Sequence, residues 1–267
     1  PWAPEFIGMG AFAPVDQYVS TEILDIFIPA AFAAIKAKDG HIYGVPWEGS
    51  TWAFFYRKDL FEEVGLNPNS PPENWSDLVD YAQKLTKDDQ YGLALAAAGW
   101  EPADYFLPFV WQAGVEPVVE ENGKWRGNFS SPEATEATQF YADLIHKHKV
   151  VSKAITSMDW ESVKNSFVSS RAAMMYNGMW VVNIIRDGNP ELDGKWATAV
   201  NPAGLTGVRA ALGYPNHLHI TTQSKNKELA GKFIDLYYGG ESPTYADKYA
   251  IVAGSLNWTK PFMDLPY

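Results

Sequence analysis

The 267-residue chain contains no cysteine. Disulfides and thiolate metal sites are thereby excluded, and the composition fits an exported bacterial protein without requiring export. No run of about 18 apolar residues occurs, so no segment reads as a membrane-spanning helix. Cations are few: 21 Lys and Arg stand against 32 Asp and Glu, a formal net charge of −11. That balance argues against nucleic acid or an anionic membrane surface as partner. Catalytic signatures are missing as well, with no Ser-His-Asp order, nucleophile elbow, phosphate-cradling Gly loop or HExxH. Tryptophan is what the chain has in excess, 11 of them beside 14 Tyr and 14 Phe. So many indoles among polar loops point to a flat-faced ligand. The length suits two domains of about 100–150 residues each.

The organising stretch is Tyr43–Leu60, YGVPWEGSTWAFFYRKDL. Gly44 and Pro46 turn and stiffen the chain, a polar patch follows at 47–51, and Trp52–Tyr56 is apolar on both faces, as in a strand buried mid-sheet. Arg57–Leu60 then opens a helix ending near Gly65. Periodicity predicts one helix over Thr21–Lys38, with Phe27, Ala31 and Ile35 on one face, and a turn at Asp39-Gly40. Further helices are expected from Trp75 to Leu85, Ala103 to Ala113 with Gly114 as C-cap, Ser131 to His148, Ser157 to Phe167, and onward from Asn226 with Ala230, Phe233, Ile234 and Tyr237 inward. Strands are predicted at Leu93–Ala97, at Ala172–Tyr176 and at Trp196–Val200, and a hairpin turning at Asn122-Gly123.

Three motifs carry a resemblance. Tyr43-Gly44-Val45-Pro46 followed by Tyr56-Arg57-Lys58-Asp59-Leu60 is the first. The second runs from Phe167 through Ala173-Met174 to Asn177-Gly178-Met179-Trp180. The third is the Leu212–Ile220 segment with the Asn226-Lys227-Glu228 helix start after it. Together they resemble the extracellular solute-binding proteins of carbohydrate ABC transporters, the maltose-binding-protein-like family, over nearly the whole chain. The resemblance implies an α/β fold of class II type: two lobes of mixed sheets flanked by helices. Lobe one would comprise 1–48 and 218–267 and be partial, and lobe two would comprise 53–213 and be complete, with hinge segments at 49–53 and 212–217. On this reading the chain, which opens at Pro1-Trp2 without a signal peptide, is a fragment lacking N- and C-terminal parts of a mature exported protein.

The resemblance also nominates ligand-binding residues. Trp180 matches the family's stacking indole, at a strand-to-helix turn where open α/β folds bind ligands; the bland alternative is a core Trp. Trp47, Glu48 and Ser50 sit in the polar patch, where a carboxylate can accept two sugar hydroxyls. Trp100 or Tyr105, at a helix start, would line the cleft. Asn177 flanks Trp180, Tyr214 and Asn216 lie at the second crossing, and Trp2 and Glu5 match a first-lobe loop bearing an aromatic and an acid. His217 and His219 share a strand face but lack a third metal ligand. Trp75, Trp111, Trp125, Trp160, Trp196 and Trp258 read as structural.

The function implied by the resemblance is binding of a sugar, an oligosaccharide by expectation, in a cleft between the lobes and its delivery to a membrane permease. Such a protein would do no chemistry and need no cofactor or metal. A monomer is expected, periplasmic or extracellular, with a lipid anchor on the full-length protein as one form. Two alternatives stay open: a glycan-active enzyme with Glu48 as acid, which would need a second carboxylate nearby, and a binding protein for glycerol phosphate or a polyamine.

Overall fold

Local chemistry sets most element boundaries in the computed structural model, which describes residues 2–99, 101–241 and 243–263. The chain divides into two compact units, 1–50 with 213–267 and 51–212. The first unit begins with α1 (Ala3–Gly8), β1 (Phe12–Ala13) and α2 (Thr21–Asp25), and β2 (Val45–Arg57) carries the chain into the second. There follow α3 (Lys58–Glu63), α4 (Trp75–Leu85), β3 (Tyr91–Ala94), α5 (Pro102–Gln112), β4 (Val118–Glu121) and β5 (Lys124–Gly127). The second unit ends with α6 (Pro132–His146), α7 (Trp160–Val168), β6 (Ala172–Gly178), α8 (Val181–Gly188) and β7 (Trp196–Ala199). The first unit resumes with β8 (Gly213–Leu218), β9 (Ile220–Thr221), α9 (Lys227–Tyr238), α10 (Tyr245–Ala253) and α11 (Lys260–Met263).

In the second unit the strands run β3-β6-β2-β7, with β3 parallel to β6 and the other neighbours antiparallel. Strand β6 is paired on both edges and all seven of its residues are buried. Phe54 and Phe55, successive residues of β2, therefore point to opposite faces and both are fully buried, so helices cover the sheet on both sides. Arg57 closes β2. Its buried guanidinium forks onto Asp59 at 2.8 and 2.7 Å and donates to the Phe167 carbonyl and Ser170 Oγ. That satisfies a charge which, buried unpaired, would cost several kcal/mol. Helix starts follow their caps: Asn74 accepts from the Asp77 N–H, Ser131 from Ala134 and Asp159 from Ser162. The β4–β5 hairpin turns at Asn122 (φ 53°) and Gly123 (φ 75°), both left-handed, as the Asn-Gly pair requires.

Two sequence expectations are corrected. The helix predicted over Thr21–Lys38 breaks into α2 and a 3-10 turn at Pro29–Phe32, because Pro29 has no N–H and forces Ile28 extended. Phe27, Ala31 and Ile35 are nevertheless all buried, the first two in the core of the first unit. Helix α9 departs from expectation at one position: Ile234 is buried and Ala230 and Tyr237 pack against the core, joined by Gly231 and Tyr238, whereas Phe233 is 56% exposed. Gly231 lies directly on the Tyr18 carbonyl, a contact no larger residue permits.

The first unit also half-buries two histidines. His217 Nε2 donates to the Ala31 carbonyl at 3.3 Å and His219 Nδ1 to the Tyr43 carbonyl at 2.7 Å, while His219 stacks on Phe12. Burial lowers both, His217 to about 4. Between the ordinary value of 6.5 and about 4 the unfolded chain takes up a proton at position 217 that the folded chain refuses. The unfolded state thus binds more protons in that window, so the stabilisation is full above it and is lost as the pH falls. His217→Gln is expected to flatten the dependence of Tm on pH between about 6.5 and 4.5, a window above most carboxylate titration. An unchanged slope in a thermal melt series would refute the assignment.

Candidate functional site

In the second unit the decisive feature is how β6 ends. Asn177 and Gly178 close the strand, Met179 turns, and Trp180 stands at the N-cap of α8. A methyl group at 178 would overlap the Trp180 indole, so the ring lies flat against a glycine. Trp52 and Trp160 each meet Trp180 edge-on at 6.0 Å and 79°, and Tyr105 meets Trp52 edge-on at 4.7 Å. Edge-to-face contacts hold the rings at fixed angles and leave the half-buried face of Trp180 for another partner. Trp52 Nε1 and the Tyr105 hydroxyl are buried with no hydrogen-bond partner among the described residues. Unmade hydrogen bonds there cost about 1–3 kcal/mol each.

Carboxylates border the indoles. Glu101 accepts the Trp160 N–H at 2.6 Å, and its own titration is pushed up by burial first and then by the charges of Asp159 and Asp104, against the lowering by that hydrogen bond. Burial and these same acids push the Tyr105 phenol well above its ordinary value, so it stays protonated and can donate.

The first unit holds a second polar–aromatic group. Trp47 stacks on Tyr249 with centroids 5.4 Å apart and donates Nε1–H to the Tyr237 hydroxyl at 3.2 Å. Glu48 accepts from Asn216 Nδ2 at 3.4 Å and from the Tyr249 hydroxyl, whose titration is raised by burial and by the Glu48 charge. Gly49 lies against the Tyr214 carbonyl and the Trp258 indole, which fixes β8 beside this stretch of β2. The partners of Glu48 given by the structure are an amide and a phenol. Among the described residues no group of three or more His, Cys, Asp or Glu is placed to hold a metal.

The residues nominated from sequence separate by position. The structure brings together Trp47, Glu48 and Asn216 in one unit, and Trp180 and Tyr105 around Trp52 in the other. Asn177 is corrected as a ligand contact: it is 0% exposed, its Nδ2 donates to the Trp160 carbonyl and its Oδ1 accepts from Gly178 N–H. Tyr105, at 1% exposure, sits behind Trp52 instead of lining an open surface. Ser50 is buried as well and Tyr214 half-buried. Trp2 and Glu5 belong not to a loop but to helix α1, Trp2 as its exposed N-cap and Glu5 in its first turn after Pro4. Trp100 lies outside the described residues. Trp52, Trp160, Glu101, Tyr237 and Tyr249 were not nominated. Trp160 read as structural and Trp52 as strand core. Only Glu101 had a local signal, since it opens a proline-started helix beside the nominated Trp100.

Residues 1–241 match the family model described as Bacterial extracellular solute-binding protein. The chain belongs to that family. Its members are binding proteins of ABC transporters, not enzymes. This solute-binding protein is 32% identical to a putative binding protein of Brucella abortus (strain 2308), over 89% of the chain and 56% of that relative. Among solved structures it is similar to maltose-bound MalE3 of T. maritima, with TM-score 0.82 and 27% identity over 99% of the chain and 66% of that structure. It is similar too to the solute-binding protein of Thermotoga lettingae bound with alpha-D-tagatose, with TM-score 0.80 and 28% identity over 95% and 63%. The fold is therefore the two-lobed α/β fold of these proteins. The chain spans about half the length of the curated relatives it matches. Among the described residues, no helix is long and apolar enough to cross a membrane.

Proposed function

We propose that the chain binds a carbohydrate for import by an ABC transporter, with Trp180 as the stacking surface. The observation carrying this reading is the fixed indole cluster around Trp180 in the second unit, its central ring seated on Gly178. The C–H face of a pyranose suits an indole, and its hydroxyls need donors and acceptors around the rim. Glu48, beside Trp47 in the first unit, offers a carboxylate to such hydroxyls. Maltose and tagatose in the two structural neighbours support the class. A phosphorylated solute fits less well, because the charged side chains described beside the aromatics of each unit are acids: Glu101, Asp104 and Asp159 beside the indoles, and Glu48 beside Trp47. The partner is a membrane permease, and the protein acts as a monomer outside the cytoplasm.

The test is a titration of intrinsic tryptophan fluorescence with mono- and oligosaccharides, confirmed by calorimetry. A saturable change for at least one sugar is expected. Silence across the panel with a cooperatively folding protein would sink the reading. Glu48→Gln keeps the shape but removes the charge that hydroxyl donors favour, and it is expected to weaken the bound sugar by about 10-fold, as a charge-assisted hydrogen bond of roughly 1.5–3 kcal/mol would predict. Unchanged affinity would remove Glu48 from the site.

A further inference from the structure

The contacts beneath the indoles are more tightly specified than those on their faces. Trp160 is the first residue of α7, and its peptide groups are held from two sides. Its N–H donates to Glu101 Oε2 at 2.6 Å, and its carbonyl accepts from Asn177 Nδ2 at 3.1 Å. Asn177 Oδ1 in turn accepts from the Gly178 N–H at 2.9 Å. Three segments distant in sequence are thereby pinned at one point: the start of α5, the start of α7 and the end of β6. Glu101 and Asn177 are 5% and 0% exposed, so neither side chain has much surface to offer a solute. Above this point the Trp160 ring meets Trp180 edge-on, and Trp180 rests on Gly178.

Glu101 does not cap α7 in the ordinary way, since Asp159 already fills that role for Ser162. A buried carboxylate spent on the first N–H of a helix that already has its N-cap is costly unless the position of that N–H matters. The position that matters here is that of the Trp160 indole relative to Trp180.

We propose that Glu101, Asn177 and Gly178 form a clamp that sets the angle between the Trp160 and Trp180 indoles, and act as positioning residues that do not touch the solute. The proposal deepens the carbohydrate-binding reading and rests on it for its consequence, though the clamp itself can be read without any ligand. Glu101→Gln retains an oxygen acceptor for the Trp160 N–H, whereas Glu101→Leu removes it. Gly178→Ala leaves the hydrogen bonds and displaces the Trp180 ring.

The experiment is near-ultraviolet circular dichroism of the 267-residue chain, with Trp160→Phe and Trp180→Phe identifying the signal of the coupled indoles. That signal is expected to persist in Glu101→Gln and to be lost in Glu101→Leu and in Gly178→Ala, each checked for a cooperative melt. The two disruptive variants act on different atoms, so either one that folds decides. A wild-type spectrum in a folded Glu101→Leu or Gly178→Ala protein overturns the clamp. Loss of the signal in Glu101→Gln, with folding retained, would also overturn it, because the charge and not the acceptor would then be what matters. Maltose titration is the second arm. Expected are near-wild-type affinity for Glu101→Gln and a loss of about 10-fold or more for the other two, the size seen when outer-shell partners of metal ligands are removed. If maltose binding is insensitive to Trp180→Ala as well, the carbohydrate reading fails while the spectra still judge the clamp.

Discussion

Trp180→Ala is expected to cost a bound sugar roughly 2–4 kcal/mol, or about 30- to 1000-fold in Kd, the range of a central aromatic anchor. Two terms make up that loss. One is the apolar area that an indole covers, and the other is the stacking preference of about 0.5–1.5 kcal/mol beyond area. The fold should barely notice. Trp180 is only half-buried, and its side chain makes no capping hydrogen bond to α8, whose buried residues are Val181 and Ile185. Affinity and Tm should therefore separate, the first falling steeply and the second shifting by a few degrees. Because the substitution removes a fluorophore, calorimetry is the decisive measurement. Trp180→Phe should retain part of the affinity through its smaller ring. Equal affinity in wild type and Trp180→Ala would end the role assigned to this indole.

The largest effect on stability is expected from Phe55→Ala. Phe55 is fully buried in β2, opposite Met175 of β6 and Thr198 of β7, and its ring packs between Phe167 at 6.4 Å and Trp196 at 5.9 Å. Removing such a ring deletes its transfer energy and leaves a cavity that rigid sheet neighbours cannot close, a loss of about 3–5 kcal/mol. A domain holds about 5–15 kcal/mol in all, so the second unit would lose a large part of its margin. Urea denaturation should show a lower midpoint with an unchanged slope, and Phe55→Leu should fall between. A loss below about 1 kcal/mol would mean that the sheet collapses around the gap, contrary to the pairing on both edges of β2.

Much of this protein is legible in short stretches of its sequence. Wherever a cap, a turn residue or a buried run is local, the elements form as expected: α4 begins at the Asn74 cap, the β4–β5 hairpin turns at Asn122-Gly123, and the Ala172–Tyr176 run lies within a strand buried along its length. These signals involve residues within a few positions of one another, so no knowledge of distant packing is needed to read them. Trp180, too, can be named from its own neighbourhood, because Asn-Gly before an indole marks a strand-to-helix turn.

Long-range packing settles what remains, where partners are far apart in the chain. Nothing near Trp47 announces Tyr249, two hundred positions later, and nothing near Trp160 announces that Glu101 and Asn177 hold its peptide. Asn177 illustrates the limit: its type and place suggest a ligand contact, but it is fully buried opposite Ala53 of β2, and its amide is consumed inside the unit by the Trp160 carbonyl and the Gly178 N–H. Phe233 of α9 stays exposed for the same reason, since the adjoining face of the helix is held by Gly231 against the Tyr18 carbonyl, a partner far away in the chain. Periodicity says which residues can be buried together; which of them are depends on the surface they meet.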